Sequence, residues 1–235
     1  MLPLAILAGG LATRLHPLTE TIPKSMIKIS GYPFVHWQMK LLAQQGVSEV
    51  IFCVAHKSKM ISDFVGDGSQ YGLKVQYSYD GEEQLGTGGA IRKSLPLLGD
   101  KFMVLYGDSY LPIKFKLIEN AFHDSGKPAL MTVFLNEGKF DTSNVVFSNG
   151  DIKEYTKGKI SQDIRYVDYG LSCYESKVFH SIEKHKPQDL GNICSELANQ
   201  NLLAGYEVKD RFYEIGSFQG IEDFEKYMER NRNVV

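Results

Sequence analysis

Apolar residues along this chain fall into short unbroken runs alternating with stretches of helical spacing. Residues 4–7 (LAIL), 49–55 (EVIFCVA) and 101–106 (KFMVLY) are apolar through their centres, as strands buried on both faces are. Residues 73–78 (LKVQYS) predict another strand. Between the runs, residues 33–45 place Phe34, Trp37, Leu41 and Leu42 at helical spacing, and Gly46 closes the segment. Shorter helices are predicted over 59–64, closed by Gly66, and over 89–95, ended near Pro96. Strand and helix in alternation predict an α/β fold with a mostly parallel sheet and helices on both faces.

The second half is mixed. Strands are predicted over 129–136, 144–148, 152–155, 168–174, 205–208 and 212–215, with a turn at Asn149-Gly150. Helices are predicted over 177–185, 193–200 and 221–231. No low-complexity linker, charge block or internal repeat divides the sequence. The expectation is a single unit over 1–235, with one half over 1–110 and a second over 111–235 that adds a small β-rich lid.

Composition narrows the function classes. The 235 residues are 43% hydrophobic and 23% charged, ordinary for a globular protein with a full core. Net charge is -2, so no overall basic field favours nucleic acid or an anionic membrane. Cys53, Cys173 and Cys194 are far apart, which suggests neither a disulfide framework nor a zinc site. There is no leader-like N-terminus and no apolar run long enough to span a bilayer, so a cytoplasmic location is the default expectation.

The chemistry concentrates after the first strand, in Leu7-Ala8-Gly9-Gly10-Leu11-Ala12-Thr13-Arg14-Leu15. Adjacent glycines let backbone N–H groups approach a ligand closely, and such a turn forms an anion-binding concavity. Thr13 adds a hydroxyl, Arg14 a bidentate fork and Lys24 a mobile point charge. Together they suggest a triphosphate cradle. The spacing matches neither a P-loop nor a dinucleotide fingerprint. The plainer alternative is a glycine loop with two surface cations.

Ligands of open α/β sheets bind beyond the carboxyl ends of the strands. That rule groups the glycine turn with Asp108, which follows Gly107 at a strand end, and with Glu83-Gln84-Leu85-Gly86-Thr87-Gly88-Gly89. Asp108 is either a Mg2+ ligand beside the phosphates or a turn cap. Glu214, between apolar neighbours and a glycine turn, offers a second carboxylate for the same ion. The Gly86 loop either reads a nucleobase edge, with Gln84 or Glu83 alongside, or is a helix-entry loop. Glu154 and Lys157 suit an acidic or sugar-like substrate, or else a solvated hairpin edge. Asp168 and Tyr169 either bind a polyol or form core and turn.

The glycine stretch, then Pro23-Lys24, Leu85-Gly86-Thr87-Gly88-Gly89-Ala90, Tyr106-Gly107-Asp108-Ser109 and Glu214-Ile215-Gly216-Ser217, in that order, resemble the sugar-1-phosphate nucleotidyltransferases. The similarity extends from Leu4 to about Tyr227 and is greatest to short heptose-1-phosphate guanylyltransferase and N-acetylmuramate-1-phosphate uridylyltransferase types. The resemblance implies a Rossmann-like nucleotidyltransferase fold and a Mg2+-dependent reaction of a nucleoside triphosphate with a sugar 1-phosphate. It implies a nucleotide-binding half over 1–110 and a sugar-phosphate-binding half over 111–235. Leu7, Ala8, Gly9, Gly10, Thr13 and Arg14 would hold the triphosphate, and Glu83, Gln84, Gly86 and Thr87 would meet the base. Arg14, Lys24 and Asp108 would be catalytic, with Asp108 and Glu214 on the metal. Gly107, Glu154, Lys157, Asp168, Tyr169 and Gly170 would meet the sugar phosphate. Glu214 and Ser217-Phe218 depart from the family's common Asp-x-Gly-x-Pro, and Ala12 stands where glycine is frequent. A homo-oligomer is left open. The competing readings are transfer to a non-sugar phosphate such as phosphocholine, and a nucleotide-sugar-binding regulator without chemistry.

Overall fold

The structure, a computed structural model, describes residues 1–10, 13–55, 57–81, 83–159 and 161–231. Leu11 and Ala12 of the glycine stretch, and the side chain of Thr13, lie outside the described part. Its strands are β1 (Leu4–Leu7), β2 (Lys28–Ile29), β3 (Tyr32–Pro33), β4 (Glu49–Val54), β5 (Lys74–Tyr79), β6 (Lys101–Tyr106) and β7 (Ser109–Tyr110). The later strands are β8 (Ala129–Leu135), β9 (Val145–Ser148), β10 (Asp151–Tyr155), β11 (Tyr166–Glu175), β12 (Leu203–Val208) and β13 (Tyr213–Glu214). The helices are α1 (Phe34–Gln44), α2 (Ser58–Val65), α3 (Gly86–Leu98), α4 (Phe115–Ser125), α5 (Leu190–Asn199) and α6 (Phe218–Arg230).

One nine-stranded sheet runs through both halves in the order β5-β4-β1-β6-β11-β8-β12-β10-β9. The first four strands are parallel, β11 is antiparallel to β6 and β8, and β12 is parallel to β8. This is the mixed, mostly parallel sheet expected. β9 and β10 form an antiparallel edge, and β9 also meets the start of β11. That edge is the β-rich part of the second half.

Strand alternation divides the core between the two faces. Leu4, Ile6, Met103 and Leu105 face α1, α2 and α4, where Val35, Ile61 and Phe122 are buried. Ala5, Phe102 and Val104 face α3 and α5, against Ile91, Leu98 and Ile193. A third cluster lies off the sheet. Leu15, Ile27, Phe34, Tyr110, Ile215 and Phe224 pack α6 against the segments that carry Lys24, Asp108 and Glu214.

Three elements differ from the sequence expectation. α3 continues past Pro96 to Leu98, because a proline near a helix end forfeits only its own bond to Arg92. In place of a helix over 177–185 there is one 3-10 turn, Ser176–Phe179; His185 takes a positive φ and Pro187 follows. α4 was not anticipated, although Phe115, Ile118 and Phe122 share a face and Gly126 caps the helix in the left-handed region.

Candidate active site

The carboxyl ends of β1, β4, β5 and β6 open into a cleft of about 250 Å³, bounded on one side by the start of α3. Leu7, Ala8, Gly9 and Gly10 form its floor at the end of β1. Lys24, Gly107 and Asp108 line one wall, and Gln84, Gly86 and Thr87 the other. Gly107 and Asp108 lie about a hundred residues beyond the floor in sequence, and parallel pairing of β1 with β6 brings the two together.

Lys24 begins a 3-10 turn after Pro23, which is extended. Its ammonium donates to Asp108 Oδ2 at 2.8 Å. Asp108 Oδ1 has no hydrogen-bond donor among the described residues. Backbone contacts fix the Asp108 loop. Gly107 N–H donates to Leu7 O at 3.0 Å, and Ile215 N–H donates to Asp108 O at 3.0 Å. Gly107 is required by this approach, since a Cβ there would lie 2.6 Å from Leu7 O.

β13 pairs with β7 in the register Glu214↔Ser109, which brings Glu214 beside the Asp108 loop. A Cβ on Gly216 would lie 2.5 Å from Glu214 Oε2, 3.4 Å from Lys24 Nζ and 3.6 Å from Asp108 Oδ2. The ammonium and both carboxylates therefore lie within 3.6 Å of that position, although Glu214 lines a neighbouring groove with Ser217 and Gly220 rather than the cleft itself. Glu214 Oε2 accepts from Gly216 N–H and Oε1 from Ser217 Oγ at 2.9 Å. Each carboxylate oxygen has two lone pairs, so both groups keep capacity for a cation.

The Gly86 segment is packed rather than loose. It forms the first turn of α3, and a Cβ on Gly86, whose φ is +67°, would lie 2.7 Å from Gln188 O. Gln188 O accepts from Gly88 and Gly89 N–H, so these two donors are not free for a base. Thr87 Oγ1 accepts from Leu190 N–H at 2.8 Å, tying the start of α5 to the cleft. Gln84 lines the cleft, with Nε2 3.5 Å from Gly9 O, whereas Glu83 is exposed and outside the lining. Arg14 is also exposed and outside the lining.

The expected sugar-side residues do not share one location. Asp168 lies behind Tyr106, whose hydroxyl donates to Asp168 Oδ2 at 3.1 Å, and Gly170 N–H donates to Oδ1 at 3.0 Å. Burial raises the Asp168 carboxyl to about 6, against these two hydrogen bonds. Gly170 packs on the same place: a Cβ there would lie 3.1 Å from Ser109 Oγ and 3.4 Å from Tyr106 Cδ2. Tyr169 corrects the expectation. Strand alternation turns it to the opposite face, where it is 1% exposed among Phe134 and Phe212. Glu154 also lies elsewhere, in a shallow groove with Lys153, Asp163 and Arg165, paired with Lys159 at 2.7 Å. Lys157 is exposed and pairs with Asp189, the N-cap of α5, at 2.8 Å.

Sequence reading passed over several groups. Asp80, just past β5, lines the cleft; burial raises its carboxyl, while the Leu85 N–H at 3.1 Å and Lys93 oppose that. The strand-end rule that selected Asp108 would have found it. Tyr106 also lines the cleft. Cys53 lines it too, but burial pushes its thiol up to about 12, which makes it an inert core residue.

A glycine-floored cleft at the strand ends, with an ammonium and a carboxylate at its wall and a second carboxylate beside them, has the groups that phosphate esters and a cation require. The chain belongs to the nucleotidyl transferase family, whose pattern it matches over residues 4–231. It is 40% identical to an N-acetylmuramate alpha-1-phosphate uridylyltransferase of Neisseria meningitidis serogroup B over 218 residues, 90% of this chain and 92% of that protein. It is also 40% identical to a D-glycero-alpha-D-manno-heptose 1-phosphate guanylyltransferase of Campylobacter jejuni over 118 residues, 49% of this chain and 52% of that protein. The fold is shared with HddC from Yersinia pseudotuberculosis complexed with GMP-PN, at a TM-score of 0.80 and 24% identity over 97% of this chain and all of that one. A UDP-glucose pyrophosphorylase from Acinetobacter baumanii superposes with a TM-score of 0.80 at 15% identity, covering 97% of this chain and 93% of that one. Enzymes of this family generally work with a divalent metal. Among the described residues no helix is long and apolar enough to cross a membrane.

Proposed function

We propose that this chain joins a nucleoside triphosphate to a sugar 1-phosphate, releasing pyrophosphate and forming a nucleotide sugar for surface-glycan or cell-wall supply in a bacterial cytoplasm. The observation that carries this reading is the Lys24–Asp108 pair at the wall of the glycine-floored cleft, with the Glu214 carboxylate beside it just outside the lining. The family match and the two 40% identical relatives support the same reaction type.

In this reaction an oxygen of the sugar phosphate attacks the α-phosphorus. A new P–O bond forms as the bond to pyrophosphate breaks in line, and pyrophosphate leaves with that electron pair. The protein's part is positioning and charge neutralisation. The glycine turn offers backbone N–H groups to the triphosphate, and Arg14 reaches it from the exposed rim. Lys24 spends one N–H on Asp108 and keeps two for phosphate oxygens. Mg2+ fits the two carboxylates, Asp108 and Glu214, because this ion commonly takes one or two carboxylates and completes its shell with phosphate oxygens and water. When bound it neutralises charge on the phosphates. In the half of the chain over 111–235, Lys157 meets the sugar phosphate, and Asp168 supports the sugar side through Tyr106. Gln84 and Thr87 stand at the base end.

The test is pyrophosphate release by purified protein with Mg2+ across a grid of nucleoside triphosphates and sugar 1-phosphates. The grid includes N-acetylmuramate and heptose 1-phosphates, with phosphocholine as the non-sugar control. Release in one cell that needs both substrates is expected. Release with phosphocholine alone, or none anywhere, overturns the reading.

A further inference from the structure

Gln38 sits on α1, remote in sequence from every group above, and is 1% exposed. Its Nε2 donates to Ser109 O at 2.8 Å and to Tyr106 O at 3.2 Å. Those carbonyls flank the Gly107-Asp108 step on either side. The amide has one orientation available, since a flip would set its oxygen against two carbonyl oxygens. The same orientation leaves Gln38 Oε1 buried without a partner. Buried acceptors are nearly always satisfied, so an unsatisfied one needs a reason.

We propose that Gln38 is a positioning residue for Asp108, fixing the strand-end loop so that the carboxylate is pre-aimed at the cation. The inference rests on the reading of Asp108 as a metal ligand. Gly107 N–H is held by Leu7 O on β1, and Asp108 O by Ile215 N–H beyond β13. Gln38 adds a side-chain donor to the loop's own carbonyls from the helix beneath. Without it the carbonyls of Tyr106 and Ser109 lose a buried donor, and the loop is free to rotate its peptide planes toward other donors. Asp108 would then keep its pairing with Lys24 in some conformers and lose its aim in others. Metal affinity is expected to respond to this, since Mg2+ demands near-ideal ligand geometry.

The variants are Gln38→Met, which keeps length and removes both donors, and Gln38→Glu, which keeps shape and replaces the donors by an acceptor. The first measurement is Mn2+ binding by electron paramagnetic resonance, with a nucleoside triphosphate present and no second substrate. The expected result is a Mn2+ dissociation constant raised about tenfold in both variants, equivalent to about 1.4 kcal/mol. Turnover of both variants against the wild type in the substrate grid is the second measurement, with kcat of the variants expected to fall about tenfold or more and KM for the triphosphate to stay within about twofold. A lower melting temperature with unchanged Mn2+ affinity and kcat overturns the inference and makes Gln38 a packing residue. Should Gln38→Met fail to fold, Gln38→Glu carries the same test. Absence of turnover in the wild-type protein overturns the proposed function instead, and the Mn2+ measurement separates the two.

Discussion

Lys24 Nζ donates to Asp108 Oδ2 at 2.8 Å, across 84 positions of sequence. The side chains are 19% and 31% exposed, so the pair is sheltered yet open to the cleft. A cation and an anion held together there meet both demands of a nucleoside triphosphate bound with a metal. In the proposed reaction the ammonium would meet the phosphates and the carboxylate the counter-ion.

Asp108→Asn removes the charge and keeps the size. Turnover is expected to fall by more than about a hundredfold, with little change in melting temperature, because the loop's backbone anchors remain. Pyrophosphate release against Mg2+ concentration reads this. Near-normal activity at ordinary Mg2+ would take Asp108 out of the site.

Lys24→Met should lower kcat by about 10²–10³-fold. Its charge counts most as negative charge builds on the leaving pyrophosphate, so KM for the triphosphate should move little. Steady-state kinetics would show the opposite split, a raised KM with kcat intact, if Lys24 served ground-state binding alone.

Lys157→Met should raise KM for the sugar 1-phosphate about tenfold, the worth of one charge-assisted hydrogen bond, and leave KM for the triphosphate alone. A change confined to melting temperature would reduce Lys157 to the partner of Asp189.

Asp168 makes stability depend on pH. Burial raises its carboxyl to about 6 in the folded chain, whereas an unfolded aspartate titrates near ~4. Between those values the folded chain binds more protons, so this group's contribution is full below ~4 and is lost as pH rises through about 6. Asp168→Asn carries no such loss. Its stability should exceed the wild type's at neutral pH, by about 3 kcal/mol at most, and the gap should close toward ~4. Parallel melting curves at every pH would contradict this.

Gly107→Ala should destabilise by about 1–3 kcal/mol, since its methyl meets the Leu7 carbonyl and the loop must shift. Kcat should drop with it because Asp108 moves too. Thermal melts and kinetics on the same sample would expose a tolerant loop if neither changed.

The parallel core was legible because both-face burial writes a local signal. LAIL, EVIFCV and KFMVLY are apolar whichever way each side chain points. α4 was overlooked although its stripe of Phe115, Ile118 and Phe122 was present. The span over 177–185 looked helical by content, yet it closes after one turn. In the site, Gly9, Gly10, Lys24, Asp108, Gln84, Gly86 and Thr87 were readable from glycine turns and strand ends, and they line one cleft. Tyr169 was misplaced because a strand sends neighbours to opposite faces, and Glu154 because β10 stands four places beyond β6 in the sheet order.

The sequence by itself determined the strand runs, the glycine turn after the first of them and the residue types offered beside it, because these depend on neighbours within a few positions. Tertiary structure decided which of them meet. Glu214 reaches Lys24 and Asp108 through one two-residue strand pairing, and Asp80 enters the cleft through the parallel order of β5, β4 and β1. Gln38 reaches the Asp108 loop from a helix packed below it. Such contacts join residues tens of positions apart, and chain closure over that distance leaves no periodicity in the sequence for a reader to follow.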